Sequence, residues 1–194
     1  HRAMSTYYEV RIADEEHTYA AQAAQAAIDL VDKLENYLSR FRPNSDVTKI
    51  ASLAPGETMR LSEPAFACLE IAKKMELATH GAFSVSAAAL QTQSKPPRWS
   101  LLAEELAVRC EEGRLQFDLG AIGKGFALDR MAELLNEWDC PAFMLVAGGS
   151  SILAGAAAKD AAGWSCGLGD DKAQQRFFLT NVSLSGSGLA VKGS

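Results

Sequence analysis

Apolar residues recur along this chain with two different spacings, which divide it into strand-like and helix-like segments. Residues 6–12 are rich in strand-forming residues, and from Tyr8 to Ile12 apolar or aromatic side chains alternate with charged ones; this period of two predicts a strand. Between Thr18 and Arg40 the apolar residues recur every three or four positions instead. That spacing, together with an alanine-rich composition, predicts one long helix.

The remaining pattern predicts two more helices and many short strands. Ser62-Glu63-Pro64 is typical of a helix start, and Gly81 ends that helix. A third helix is predicted from Lys124 to Trp138. A short helical turn is expected over residues 46–52, a further helical piece over 101–107, and a hairpin joining 108–110 to 115–117. The predicted late strands are 142–147, 151–154, 164–167, 176–179, 182–185 and 189–191.

Short strands separated by glycine turns are typical of antiparallel sheets, and the helices are concentrated in the first two-thirds of the chain. The sequence therefore predicts an α+β fold with antiparallel-rich sheets and three main helices. At 194 residues the chain is long enough for one large domain or two small ones.

Composition narrows the classes of ligand. The 194 residues are 48% hydrophobic and 22% charged, with a net charge of −5, so no basic surface for nucleic acid or anionic lipid is indicated. No run of 18 apolar residues occurs that could span a membrane, and the N-terminus lacks the apolar region of a signal peptide. The four cysteines are widely spaced, which favours buried or inert thiols over a metal site.

The most informative segment is residues 117–129, Phe-Asp-Leu-Gly-Ala-Ile-Gly-Lys-Gly-Phe-Ala-Leu-Asp. A strand-like run meets a turn of small residues, one lysine and a helix start. Free N–H groups and the positive end of a helix dipole bind phosphate, and Lys124 adds a charge beside them. The spacing fits neither common nucleotide fingerprint. On these residues alone, a structural turn and a phosphate site are equally favoured.

Four other segments contain small or aromatic residues that suit a ligand site, although each segment also has a structural interpretation. Residues 81–86 read as a helix end, 146–151 as a glycine turn after a strand, and 184–188 as a sheet rim. Residues 39–47 contain Phe41, which either packs in the core or stacks on a planar ring. Ser187 is disfavoured as an acyl-transfer nucleophile, because its segment does not match the nucleophile-elbow spacing.

Taken in order, these segments resemble the FAD:protein FMN transferase family, the ApbE type also described as thiamine biosynthesis lipoprotein ApbE-like. The resemblance covers nearly the whole chain and implies a single ApbE-like domain over residues 1–194. The matching segments are Met4-Ser5-Thr6, Ser39 to Asp46, Gly81 to Ser86, Asp118 to Asp129, Gly148-Gly149-Ser150 and Leu184-Ser185-Gly186. The segment from Asp118 to Asp129 is the most specific of them.

The resemblance implies an ApbE-like architecture related to the T-fold, and Mg²⁺-dependent transfer of FMN from FAD to a Thr or Ser hydroxyl of an acceptor flavoprotein. It implies FAD as substrate, Mg²⁺ as cofactor and Ala121 as a main-chain metal ligand. It assigns no catalytic residue. The residues implied to lie against the flavin nucleotide are Met4, Phe41, Ala82, Phe83, Ser84, Lys124 and Ala127.

The chain also departs from the family pattern. Ser84 and Ser150 stand where the family has aspartates, and the family's C-terminal His-Ile-x-Asp-Pro segment and later metal element have no counterpart before Ser194. Two alternatives therefore stay open: a flavin-nucleotide-binding relative without transferase activity, and an FAD pyrophosphatase. Family members are often periplasmic or lipid-anchored in bacteria; without a signal in this sequence, the compartment stays open, the cytoplasm included.

Overall fold

The computed structural model describes residues 1–87, 89, 92–93, 95–168 and 175–186 of the chain. In these ranges the chain forms four helices and ten strands, which confirms the predicted α+β class. They are β1 (Arg2–Ala3), β2 (Thr6–Ile12), α1 (His17–Leu38), α2 (Asp46–Ile50), β3 (Thr58–Arg60), α3 (Glu63–Ala78), β4 (Arg98–Leu102), β5 (Ala107–Glu112), α4 (Gly123–Glu137), β6 (Phe143–Ala147), β7 (Ser151–Ala154), β8 (Trp164–Leu168), β9 (Gln175–Leu179) and β10 (Val182–Ser185). The three main helices of the prediction are α1, α3 and α4. The predicted strand at 189–191 and Ser187 lie outside the described residues.

Contacts between residues within the chain divide the protein into two compact units. The terminal unit contains residues 1–32 and 124–194, and the middle unit contains residues 33–123. The expectation that residues 1–194 are one domain stays a prediction.

The terminal unit is built on a five-stranded antiparallel sheet with the order β1-β2-β6-β7-β10. Its central strand β6 is apolar throughout, and Leu145 lies opposite Val10 on one side and Leu153 on the other. Leu145 and Met131 of α4 are fully buried. A separate hairpin, β8–β9, places Cys166 and Leu179 in a small apolar cluster with residues of the main sheet.

The middle unit combines α2 and α3 with a three-stranded antiparallel sheet in the order β3-β5-β4. The predicted hairpin between 108–110 and 115–117 is wrong, because β5 pairs with β3 and β4 instead. The helical piece predicted over 101–107 is also wrong in its first part. Residues 98–102 form a strand there, and a single 3₁₀ turn, Ala103–Glu105, leads to Leu106 at φ +48°.

The signals at the ends of α3 work as the sequence predicts. The Ser62 side chain accepts a hydrogen bond from the N–H of Ala65, and Pro64 lies in the first turn. Gly81, at φ +82°, donates its N–H to the carbonyl of Glu76 at 2.9 Å and so terminates the helix.

All four cysteines are buried and free, as the sequence predicts. Burial raises the pKa of the Cys68 thiol to about 12, so this thiol stays protonated in the folded protein at neutral pH. No described helix has the length and apolar character needed to cross a membrane.

Leu69→Ala and Leu77→Ala form a matched pair on α3, because Leu69 is 0% exposed and Leu77 is 69% exposed. We expect Leu69→Ala to lower the free energy of unfolding by about 2–5 kcal/mol, since it removes buried contacts and leaves a cavity. Leu77→Ala should change it by less than about 0.5 kcal/mol. Urea unfolding measures both, and equal effects would contradict the burial of this helix face.

Candidate functional site

The glycine turn begins at Asp118, whose backbone and side chain are both engaged within the middle unit. Its N–H donates to the carbonyl of Val85 at 2.8 Å. One carboxylate oxygen, Oδ1, accepts from the N–H of Gly120 at 2.9 Å. A Cβ added at Gly120 would lie 3.0 Å from that same oxygen, so a residue without a side chain suits this position.

The turn then leads into α4. The carbonyl of Leu119 accepts from the N–H groups of Ile122 and Gly123, at 3.1 and 2.7 Å. The next two N–H groups, those of Lys124 and Gly125, have no partner among the residues that the structure describes. Free donors at the positive end of a helix dipole are the elements of an anion site. Gly125 is exposed, and a Cβ added there would meet nothing within 4 Å.

In the terminal unit, Lys124 is held by a hydroxyl. Its Nζ donates to Oγ of Ser150 at 2.8 Å. The carbonyl of Ser150 in turn accepts from the N–H of Gly186 at 2.8 Å. The lysine, the turn between β6 and β7 and the end of β10 are therefore brought together. Gly188, at the end of the predicted sheet-rim segment 184–188, lies outside the described residues.

Met4 lies in a strained turn in the same unit. Met4 and Ser5 join β1 to β2 with φ values of +49° and +60°, the geometry of a two-residue hairpin turn that normally selects glycine or asparagine. The Sδ of Met4 accepts a hydrogen bond from the hydroxyl of Tyr8 at 3.3 Å. Strain of this kind is concentrated at functional sites, and here it fixes the position of a residue implied to contact flavin.

Ala127, one turn into α4, is fully buried. Partial burial raises the pKa of the nearby Asp129 carboxyl, and the positive charge of Arg130 opposes that rise. Ala127 and Asp129 lie at the end of the motif that begins at Asp118.

In the middle unit, Phe41 is exposed rather than packed in the core. Its side chain is 72% exposed, and the guanidinium carbon of Arg40 lies 4.8 Å from the ring centroid. Of the two interpretations that the sequence leaves open for Phe41, core packing is wrong, and the ring is available to stack on a planar group.

The loop that follows α3 is fixed by hydrogen bonds from the helix. The N–H of Phe83 donates to Oγ1 of Thr79 at 3.0 Å. The hydroxyl of Ser84 donates to Oε1 of Glu76 at 2.6 Å, and the other carboxylate oxygen of Glu76 lies 2.9 Å from Nζ of Lys73. Sequence reasoning did not find Glu76, because nothing in its spacing connects it to the loop.

The residues implied by the sequence fall into two groups. Phe41, Ala82, Phe83, Ser84 and Ala121 belong to the middle unit, and Met4, Lys124 and Ala127 belong to the terminal unit. Ala82 is exposed, while Phe83 and Ser84 are half-buried. Their roles toward a flavin nucleotide stay predictions.

The described residues do not fit a closed magnesium site. Mg²⁺ is held by oxygen ligands in near-ideal octahedral geometry. Ala121 offers one carbonyl, and the neighbouring Asp118 carboxylate is already engaged by Gly120 and by Arg40, whose Nη1 lies 3.2 Å from Oδ2. Within the described ranges no group of three or more His, Cys, Asp or Glu side chains could hold a metal ion.

Comparison with protein families settles the family. The sequence profile of the ApbE family matches residues 4–194. The chain belongs to the ApbE family. This membership confirms the predicted family and supports flavin transfer in general as the activity of the group. A comparison with curated protein sequences found no significant match.

Solved structures agree with this fold. The flavin transferase ApbE of Vibrio cholerae matches 100% of this chain over 72% of its own, with 16% identity and a TM-score of 0.80. The ApbE protein of Thermotoga maritima matches 94% over 67% of its own chain, with 20% identity and a TM-score of 0.75. The flavinyl transferase ApbE of Pseudomonas stutzeri, in its apo form, matches 93% over 64%, with 17% identity and a TM-score of 0.74. The predicted ApbE-like architecture is thereby confirmed.

Gly148→Ala and Gly149→Ala test the turn that carries Ser150. Gly148 has φ +63°, and a Cβ there would lie 2.4 Å from Oγ1 of Thr6, whereas a Cβ at Gly149 would meet nothing within 4 Å. We expect Gly148→Ala to lower the free energy of unfolding by about 1–3 kcal/mol through backbone strain. Gly149→Ala should stay within about 0.5 kcal/mol of the parent in urea unfolding. The turn geometry is wrong if the two variants are equally stable.

Proposed function

We propose that this ApbE family protein transfers FMN from FAD to a serine or threonine hydroxyl of an acceptor flavoprotein. The observation that carries the proposal is the start of α4, where the N–H groups of Lys124 and Gly125 have no partner among the described residues and the Lys124 ammonium is hydrogen-bonded to Ser150. Such a place binds the oxygens of a diphosphate. FAD contains one diphosphate, at the bond that the transfer would break.

The partner of Lys124 strengthens this assignment. Lys124 is hydrogen-bonded to the neutral hydroxyl of Ser150, and it makes no ion pair with any residue that the structure describes. An aspartate at position 150 would neutralise the lysine, but serine positions it and leaves its charge uncompensated. The charge is therefore available to an anionic ligand.

In the proposed reaction the acceptor hydroxyl oxygen forms a bond to the phosphorus on the FMN side of the diphosphate. The bond from that phosphorus to the bridging oxygen breaks, AMP leaves with the electron pair, and the hydroxyl proton is released. Lys124 and the helix N–H groups bind and orient the diphosphate and stabilise its negative charge. The exposed ring of Phe41 stacks on an aromatic ring of FAD.

Incubation with FAD, Mg²⁺ and an acceptor domain tests the proposal, with covalent flavin detected by in-gel fluorescence and AMP by chromatography. We expect labelled acceptor and AMP in equal amounts. AMP without label would identify an FAD pyrophosphatase. Bound FAD with neither product would identify a relative that binds flavin nucleotide without transferring it.

Lys124→Ala tests the residue on which the proposal rests. A hydrogen bond to a charged group contributes about 1.5–3 kcal/mol, so the KM for FAD should rise by about tenfold to a hundredfold. Lys159→Ala is the matched control, because Lys159 is an exposed lysine of the same unit whose recorded contact, a hydrogen bond to Asp14, uses only its backbone N–H. Equal KM values for the two variants would contradict a role for Lys124 in FAD binding.

The requirement for Mg²⁺ is a finer part of the proposal, for which Ala121 is the one predicted protein ligand. A diphosphate carries adjacent negative charges that a divalent cation neutralises. We expect excess EDTA to abolish transfer and added MgCl₂ to restore it, as measured by covalent labelling of the acceptor. Undiminished labelling in EDTA would remove Mg²⁺ from the proposal and leave flavin transfer in place.

A further inference from the structure

Arg40 contacts two segments of the candidate site, although neither the motifs nor the family resemblance assigns it a role. It follows the end of α1, and its guanidinium carbon lies 4.8 Å from the ring centroid of Phe41. Its Nη1 lies 3.2 Å from Oδ2 of Asp118, the residue that opens the glycine turn. All of these residues lie in the middle unit.

The contact with Phe41 organises an exposed ring. Phe41 is 72% exposed, so Arg40 covers part of the ring and leaves the rest open to solvent. A guanidinium group is planar and stacks on aromatic faces, which restricts the orientations that the ring adopts. A ring held in this way is ready to receive a planar heterocycle on its open face.

The contact with Asp118 joins that ring to the glycine turn. The two carboxylate oxygens of Asp118 divide their partners, since Oδ2 faces Arg40 and Oδ1 accepts from the N–H of Gly120. Arg40 therefore contacts both the aromatic ring and the carboxylate that accepts the N–H of Gly120. Phe41 and Gly120 are 79 positions apart in the sequence, and Arg40 with Asp118 connects them through two side chains.

We propose that Arg40 is a positioning residue of the flavin site, which holds the Phe41 ring for stacking on a heterocycle of FAD and ties it to the Asp118–Gly120 turn. This inference rests on the proposed function. Arg40 contributes to recognition of the aromatic part of FAD, whereas binding of the diphosphate depends on the start of α4.

Arg42 provides a matched control. It is two residues further along the same loop, and its side chain is 47% exposed, as is that of Arg40. Arg42 pairs with Glu35 and Asn36 of α1 instead of Asp118. Arg42→Ala therefore removes an exposed arginine from this loop and leaves the contacts of Arg40 with Phe41 and Asp118 in place.

The experiment compares two ligands in the full chain. Affinity for FAD is measured by flavin fluorescence titration, and affinity for inorganic pyrophosphate, which has no ring, by competition against FAD. We expect Arg40→Ala to weaken FAD binding about tenfold, because stacking on the ring is lost. Pyrophosphate affinity should stay within about twofold, and the KM for FAD should rise with kcat nearly unchanged. Arg40→Lys should fall between wild type and Arg40→Ala, because lysine keeps the charge opposite Asp118 but lacks the planar face.

Each outcome decides the proposal. Equal weakening of FAD and pyrophosphate binding would show that Arg40 acts on binding of the diphosphate instead of the aromatic ring, and would overturn the positioning role. The positioning role would also be overturned if Arg40→Ala bound FAD as tightly as the wild type, or if Arg42→Ala weakened FAD binding as much as Arg40→Ala does. Thermal unfolding followed by circular dichroism checks that the variants are folded, and if Arg40→Ala is not, the same comparison of ligands is made with Arg40→Lys. A wild-type protein that does not bind FAD would overturn the proposed function and this inference with it, whereas wild-type binding with unaffected Arg40 variants would overturn only the inference.

Discussion

The hydrogen bond between Lys124 and Ser150 is the interaction on which the candidate site depends. It fixes a cation at the start of α4 without neutralising it, because a hydroxyl accepts a hydrogen bond and carries no charge. An ion pair would hold the lysine more strongly, but a ligand would then compete with the carboxylate. The carbonyl of Ser150 is itself tied to the N–H of Gly186, so the residue that positions the lysine is positioned in turn.

Ser84, like Ser150, stands where the family resemblance implies an aspartate, but its hydrogen-bond partner is a carboxylate and not an ammonium. Ser84 donates its hydroxyl hydrogen to Glu76, so a carboxylate remains close to the loop after α3, supplied from the helix. That carboxylate also pairs with Lys73, whose Nζ lies 4.4 Å from the ring centroid of Trp99. The two substitutions are therefore not equivalent, because one leaves a positive charge uncompensated and the other keeps a negative charge nearby.

Local signals predicted the helices well because each of them acts within a few residues. Capping by Ser62 and termination at Gly81 depend only on neighbours in the chain, and both work as expected. Strand pairing depends on partners far apart in sequence. Residues 115–117 alternate as a strand does, with Leu115 and Phe117 buried, yet β5 pairs with β3 and β4 instead. Alternation reports burial on one face and does not identify the neighbouring strand.

The candidate site shows the same limit. The sequence identified Lys124 and Phe41 because lysine in a glycine turn and an aromatic beside a helix end are unusual by themselves. Arg40 and Glu76 were missed, because an arginine or a glutamate at the end of a helix is an ordinary solvated residue until its partner is known. The contacts of Arg40 with Asp118 and of Glu76 with Ser84 are visible only in the folded chain.

A net charge of −5 makes this protein a poor long-range attractor of a diphosphate, and that constrains how it would bind one. At physiological ionic strength, exposed charges beyond about 8 Å are largely screened, so the overall charge contributes little once a ligand is in place. At the start of α4, what remains is short-range: two backbone N–H groups and one ammonium that forms no ion pair with the described residues. Donors of this kind act on an anion only through direct hydrogen bonds. The affinity of the protein for flavin nucleotides should therefore depend on the geometry of a few side chains more than on its surface charge.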